Sequence, residues 1–232
     1  LELLEDCWLD VSKRPKPEHG GALTTTLLLS MSIPIVLMPL ERIAFAVSGA
    51  HTNERLVRPE WAEDFQEGLK RCLSGTQFCP SESWSYALSS SQFNLRQLPP
   101  SLLTELDQRD SYAKAAEMPV SQWASVLRNA LAHGGIAYLD GFGQPTAGAS
   151  AQMLLFVSQK RKRLPACDQC GQQKEIVTGL QCLRISVPNY RQFLGKWVAW
   201  LKQNGVEAAI AGEHAFAPTF ADTRWGEIVA LY

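Results

Sequence analysis

Val120-Ser-Gln-Trp-Ala-Ser-Val-Leu-Arg-Asn-Ala-Leu-Ala-His-Gly-Gly135 is the stretch on which the fold turns. Trp123, Val126, Leu127, Ala130 and Leu131 recur at i, i+3, i+4, i+7 and i+8. That spacing predicts a helix with one apolar stripe turned to a core. Gly134 and Gly135 then stop it, because glycine just past the last turn adopts the left-handed conformation that closes a helix. The opposite side carries Ser125, Arg128, Asn129, Ala132 and His133. Asn129 and His133, four apart, are neighbours, and Arg128 on the flank is long enough to reach across the same polar face. Ser125 and Ala132 are small and leave room for another helix to come close.

Around this stretch, 232 residues are enough for one large domain or a domain with an appendage. A hydrophobic content of 46% with 19% charged residues is that of an ordinary globular chain. The formal net charge of -1 excludes a globally basic nucleic-acid binder, so any RNA contact must be local. Six scattered cysteines do not make a disulfide framework, and a reducing cytoplasm is the expected setting. The charge-free run Gly20–Leu40 approaches the length of a membrane span, but Thr24, Thr25, Thr26, Ser30, Ser32, Pro34 and Pro39 dilute it. Ser48-Gly49-Ala50 has the small residues of an export cleavage site, but Glu41 and Arg42 interrupt the apolar approach to it. A buried or interface helix is therefore expected, and no membrane partner.

In chain order, residues 1–22 read as a short helix and a Pro/Gly linker through Pro15, Pro17, Gly20 and Gly21. Leu23–Val47 reads as one helix or two, kinked or broken at Pro34 and Pro39. Arg55–Leu73 reads as an amphipathic helix ended by Gly75. Cys79–Pro100, Ser-rich and aperiodic, reads as a long loop or short helix, and a further helix opens at Pro100. Beyond Gly135 the pattern turns to strands at Ile136–Leu139, Met153–Val157 and Leu180–Val187, with a Gly141–Pro145 turn between the first two. An amphipathic helix follows from about Pro188 to Asn204, and the tail Ala217–Tyr232 reads as a short docked helix.

Arg128-Asn129-x-x-x-His133 followed by glycine, set late in a helical region, resembles the R-x4-6-H signature of HEPN domains. It is closest in pattern to the R-N-x-x-x-H form of HEPN ribonucleases and toxin-like proteins. The resemblance implies a mainly α protein, an HEPN-type helical bundle with a small antiparallel β-sheet elaboration. Residues 23–135 would be the helical core ending in the motif, and residues 136–232 a sheet and helices packed on it. It also implies a metal-independent endoribonuclease with a toxin, phage-defence or stress role, needing no cofactor. Arg128, Asn129 and His133 would be catalytic, in a homodimer whose motif helices meet, with RNA as substrate and an antitoxin encoded elsewhere as a possible partner. The alternative is a catalytically silent module that binds nucleotide, RNA or a protein.

Two other features bear on chemistry. Cys167-Asp-Gln-Cys170-Gly171 has the turn of a zinc knuckle, but a tetrahedral site needs two more ligands. Cys182, His214 or a partner chain could supply them; two reduced thiols and no metal are expected. Lys160-Arg161-Lys162-Arg163, placed on the connection after the second strand, is a candidate contact for RNA phosphates or a solvated turn. His19, His51 and His214 lie in no motif, and Gly141-x-Gly143 lacks the strand-turn-helix setting of a phosphate loop.

Overall fold

The computed structural model describes residues 2–14, 16, 22–41, 67–79, 83–146, 150–165 and 174–203. The Pro15–Gly21 linker apart from Lys16, Ser48–Ala50, most of the Arg55–Leu73 helix, Cys167, Cys170, the tail and His19, His51 and His214 lie outside them. The described elements are α1 (Glu2–Ser12), α2 (Thr24–Ser32), β1 (Trp84–Ser89), α3 (Pro100–Asp107) and α4 (Arg109–Glu117), followed by α5 (Val120–His133), β2 (Ile136–Leu139), β3 (Met153–Arg163), β4 (Glu175–Ser186) and α6 (Val187–Gln203).

These elements do not form a mainly α bundle with a sheet appended. The fold is mixed α/β, built on one four-stranded antiparallel sheet of order β1-β4-β3-β2. Both sheet faces are covered. Leu154, Phe156, Leu183 and Ile185 pack on one side with Trp123, Val126, Leu127 and Ala130 of α5 and with Tyr190, Phe193 and Trp197 of α6. Leu155, Val157, Ala87 and Cys182 pack on the other with Leu102, Leu103 and Leu106 of α3. The α5 stripe thus meets a sheet as well as other helices, rather than helices alone. A stripe of that width fits either surface, which is why periodicity alone did not separate the two.

The segment read as an aperiodic loop holds the edge strand β1, hydrogen-bonded to β4 from Trp84↔Ile185 to Ser89↔Leu180. Its residues alternate large and small, Trp84-Ser-Tyr86-Ala-Leu88-Ser, and the serines mask a period of two. Trp84 is buried at the centre of an aromatic cluster, edge-on to Trp123 and Phe193 with centroids 5.7 Å away in each case. At the other edge, β2 pairs with β3 from Ile136↔Phe156 to Leu139↔Met153. Asp140 ties the intervening turn by accepting from the amides of Phe142 and Gln144 through Oδ1, both at 2.9 Å. Lys160–Arg163 do not lie on a connection: they are the end of β3, paired with the start of β4.

The charge-free segment continues as helix past Ser32 to Glu41 without a break. At Pro34, which cannot donate, the helix widens into a π turn over Ile33–Leu37, and the Met38 amide donates to Ile33 O. Thr24–Glu41 is long and apolar enough to cross a membrane by length and composition. Here Leu28, Ser32, Val36 and Leu40 are buried in the core. Ser32 Oγ and the Tyr190 hydroxyl share a hydrogen bond of 2.7 Å, and Trp197 Nε1 donates to Ile35 O at 2.7 Å.

Candidate functional site

Two local features fix α5. Pro119 precedes it, and the Val120 amide donates to Arg71 O at 2.9 Å, so the first turn is anchored by backbone rather than by a side-chain cap. At the far end Gly134 takes φ 68, and the Gly135 amide donates to Ala130 O at 2.9 Å. Gly135 is then pressed against β3. Its carbonyl accepts from the Val157 amide at 2.7 Å, and a Cβ at this position would lie 2.2 Å from Val157 O. The last helical turn is thereby set against one strand position.

The expected polar face is present on α5. Ser125, Ala132 and His133 are exposed, and Arg128 and Asn129 half-buried. Arg128 and Asn129 come together: Arg128 Nη1 donates to Asn129 Oδ1 at 3.3 Å. Asn129 therefore contacts the guanidinium, and among the described residues no hydrogen bond joins it to His133. His133 has no hydrogen-bond or ion-pair partner among the described residues.

A residue that the sequence pattern did not bring forward completes the arrangement. Glu41, the last described residue of the helix begun by α2, takes Arg128 in a two-pronged pair, Nε to Oε1 and Nη2 to Oε2, the second at 3.0 Å. The signal for it was the first charge to follow an otherwise charge-free helix, which calls for a partner. The side chains are 43% and 27% exposed, so the pair contributes less than about 1 kcal/mol to stability. Its effect is orientation. With Nε and Nη2 on Glu41 and Nη1 on Asn129, one N–H of each terminal nitrogen has no partner among the described residues, and the bidentate grip prevents the plane from swinging.

The geometry of one helix separates the two reactive groups. Positions 128 and 133 differ by about 7.5 Å along the axis and about 140° around it. An imidazole and a guanidinium so placed do not converge on one phosphorus atom within a single chain unless both side chains bend toward it.

The four basic residues of β3 divide. Arg161 Nη1 and Arg163 Nε lie 3.7 and 3.0 Å from the carboxylate of Glu175, whose pKa is lowered by the hydrogen bond from Arg163 and by both positive charges. Lys160 and Lys162 have no acidic partner among the described residues. Cys182, a candidate further ligand, is buried beneath α3, and burial pushes its thiol up to about 12; Cys167 and Cys170 lie outside the described residues. Among the described residues no group of three or more His, Cys, Asp or Glu side chains is placed to hold a metal.

A cavity of about 170 Å³ lined by Leu40, Leu69, Phe78, Val120, Trp197 and Trp200 opens at the N-terminal end of α5. At 1.5 Å rise per residue it is about 20 Å from His133 and takes no part in this arrangement. Comparison with family models, curated proteins and solved structures finds no match.

Proposed function

We propose that the chain is an endoribonuclease of the HEPN type that works without a metal, with Arg128 and His133 acting on an RNA phosphodiester at a site shared by two copies. The likeness to that family rests on the motif and not on a helical bundle. The observation that carries the proposal is Arg128 held by Glu41 through Nε and Nη2, with one N–H of each terminal nitrogen left without a partner among the described residues, on the same helix as an exposed imidazole.

RNA carries its own nucleophile, so the reaction needs a base, a stabiliser and an acid. One His133 takes the proton of the 2′-hydroxyl as the O2′–P bond forms. The Arg128 fork bears the charge that gathers on the phosphate oxygens. The P–O5′ bond breaks, and a second, protonated His133 from the partner copy delivers its proton to O5′. The products are a 2′,3′-cyclic phosphate and a 5′-hydroxyl. Ser125 and Ala132, small and exposed, let two α5 helices approach, and the angular separation of Arg128 from His133 is what a second copy overcomes.

Total RNA or transfer RNA incubated with the full chain in EDTA tests this. Cleavage to cyclic-phosphate ends is expected, falling by on the order of 10² to 10⁴ in His133→Ala. Absence of cleavage, or cleavage that His133→Ala leaves unchanged, refutes it. A second reading, a silent RNA- or nucleotide-binding module, is favoured by one observation: Arg128 already has a carboxylate partner. In that case Glu41→Gln raises affinity for RNA and produces no cut.

A further inference from the structure

The ends of β3 and β4 run beyond the sheet. β1 stops opposite Leu180 and β2 stops opposite Phe156, whereas the β3–β4 pairing continues from Lys160↔Gly179 to Arg163↔Glu175. The result is a two-stranded ribbon whose residues 159–163 and 174–178 are all exposed. A lone two-stranded ribbon buries little and adds little to stability. Its composition therefore does not reflect the needs of a core.

Alternation along β3 sorts its charges. Leu154 and Phe156 face the layer of α5 and α6, and Lys160 and Lys162 continue that face; Leu155 and Val157 face α3, and Arg161 and Arg163 continue that one. The register shift between Lys160 and Arg161 places the extra residue, Thr178, in β4, so the alternation of β3 is unbroken. The arginine face is partly neutralised by Glu175, whose one carboxylate is shared by both guanidiniums. The lysine face has no acidic partner among the described residues, and it holds Ile176, paired with Lys162 and 43% exposed.

That face leads to the candidate site. Val157 bonds Gly135, two residues after His133, and β2, antiparallel to β3, is entered from the ribbon end. Lys160 lies about 10 Å along the strand from Val157, and Lys162 about 7 Å further.

We propose that the ribbon is an arm that holds the backbone of single-stranded RNA, with Lys160 and Lys162 as its phosphate contacts and Ile176 as an apolar seat for a base, leading the strand to α5. This rests on the RNA reading above and names where the substrate lies. Ammonium groups about 7 Å apart on one strand face supply sequence-independent contacts to phosphates.

The test is fluorescence anisotropy of the full chain with a labelled 2′-O-methyl single-stranded RNA, which cannot be cut by its own 2′-oxygen, across a salt series. Lys160→Ala/Lys162→Ala is expected to reduce the log–log salt slope by about 1.4, at about 0.7 per phosphate contact. Arg161→Ala/Arg163→Ala, whose guanidiniums share Glu175, should reduce it less, and Lys160→Arg/Lys162→Arg should restore it. Matched melting temperatures verify folding. An unchanged slope in the lysine variant, or an equal loss in the arginine variant, overturns the arm. The two proposals separate cleanly. If the lysines carry binding and no variant cuts unmodified RNA, the arm stands and the nuclease fails. If His133→Ala abolishes cutting while the lysine variant keeps the wild-type slope, only the arm fails.

Discussion

Gly135→Ala is the perturbation that most directly probes how α5 is set on the sheet. The new Cβ would lie 2.2 Å from Val157 O and 3.5 Å from the Ala130 Cα, so relief requires a shift of about 1 Å between two backbones. Overpacking of this kind costs about 1–3 kcal/mol. Weakening the Val157-to-Gly135 backbone bond adds about 0.5–1.5 kcal/mol. The sum is about 1.5–4.5 kcal/mol, or a fall in Tm on the order of 3–18 °C for a chain of this size. Gly134→Ala is the internal comparison. No atom lies within 4 Å of its Cβ, so only the left-handed backbone opposes it, at about 1–2 kcal/mol. Urea unfolding followed by tryptophan fluorescence measures both. The midpoint should fall more for Gly135→Ala than for Gly134→Ala, with the slope unchanged. If Gly135→Ala is within about 0.5 kcal/mol of wild type, or is the milder of the two, the helix is not seated as described.

Trp123→Ala, removing a fully buried ring from the aromatic cluster, should cost about 3–5 kcal/mol in the same unfolding assay. Glu41→Gln should leave Tm within a few degrees, because the pair with Arg128 is partly exposed. It should reduce RNA cleavage about tenfold or more by freeing the guanidinium plane; equal losses of stability and activity would contradict a positioning role. Burial raises the Cys79 thiol to about 11 and Cys182 to about 12 from 9.0, so the thiolate is scarce in the folded chain at pH 8. Iodoacetamide at pH 8 followed by peptide mapping should modify exposed Cys72 well before Cys182. Since both folded-state values are raised, their contribution to stability is full below pH 9.0 and declines as pH climbs toward 12. A stability that rises across that alkaline window would refute the burial of these thiols.

How much of this was legible beforehand follows from the kind of signal each element carries. The α5 stripe, its glycine stop, β2 and α6 were readable because each shows one clean period over its length and a punctuating residue at its end. β1 was not, because Ser85 and Ser89 look like loop residues until the ladder with β4 is known. β3 and β4 were read as shorter than they are because their outer halves, from Lys160 and up to Val177, have no core to face and hence no apolar alternation. The overall class was misjudged for the same reason: an apolar stripe reports that something covers it, not whether the cover is sheet or helix. Helical spacing put Arg128, Asn129 and His133 on one polar face of α5, but made Asn129 the neighbour of His133 rather than of Arg128. Glu41 lies 87 residues from Arg128 in sequence, beyond the reach of any local pattern. Nor could a run of four basic residues reveal that Glu175 would take two of them.

The strand order also governs when the molecule can exist during synthesis. Tyr86 and Gln181 meet although 95 residues separate them, and β4 lies between two strands made earlier, so until β4 is made β1 has no strand neighbour and β3 has only β2. Until then the tryptophans of β1 and α5 have no sheet to cover them, and contacts spanning so long a stretch close slowly. Arg128 and His133 are therefore made before the sheet beneath their helix is complete, and α5 gains its full support only when β4 enters between β1 and β3.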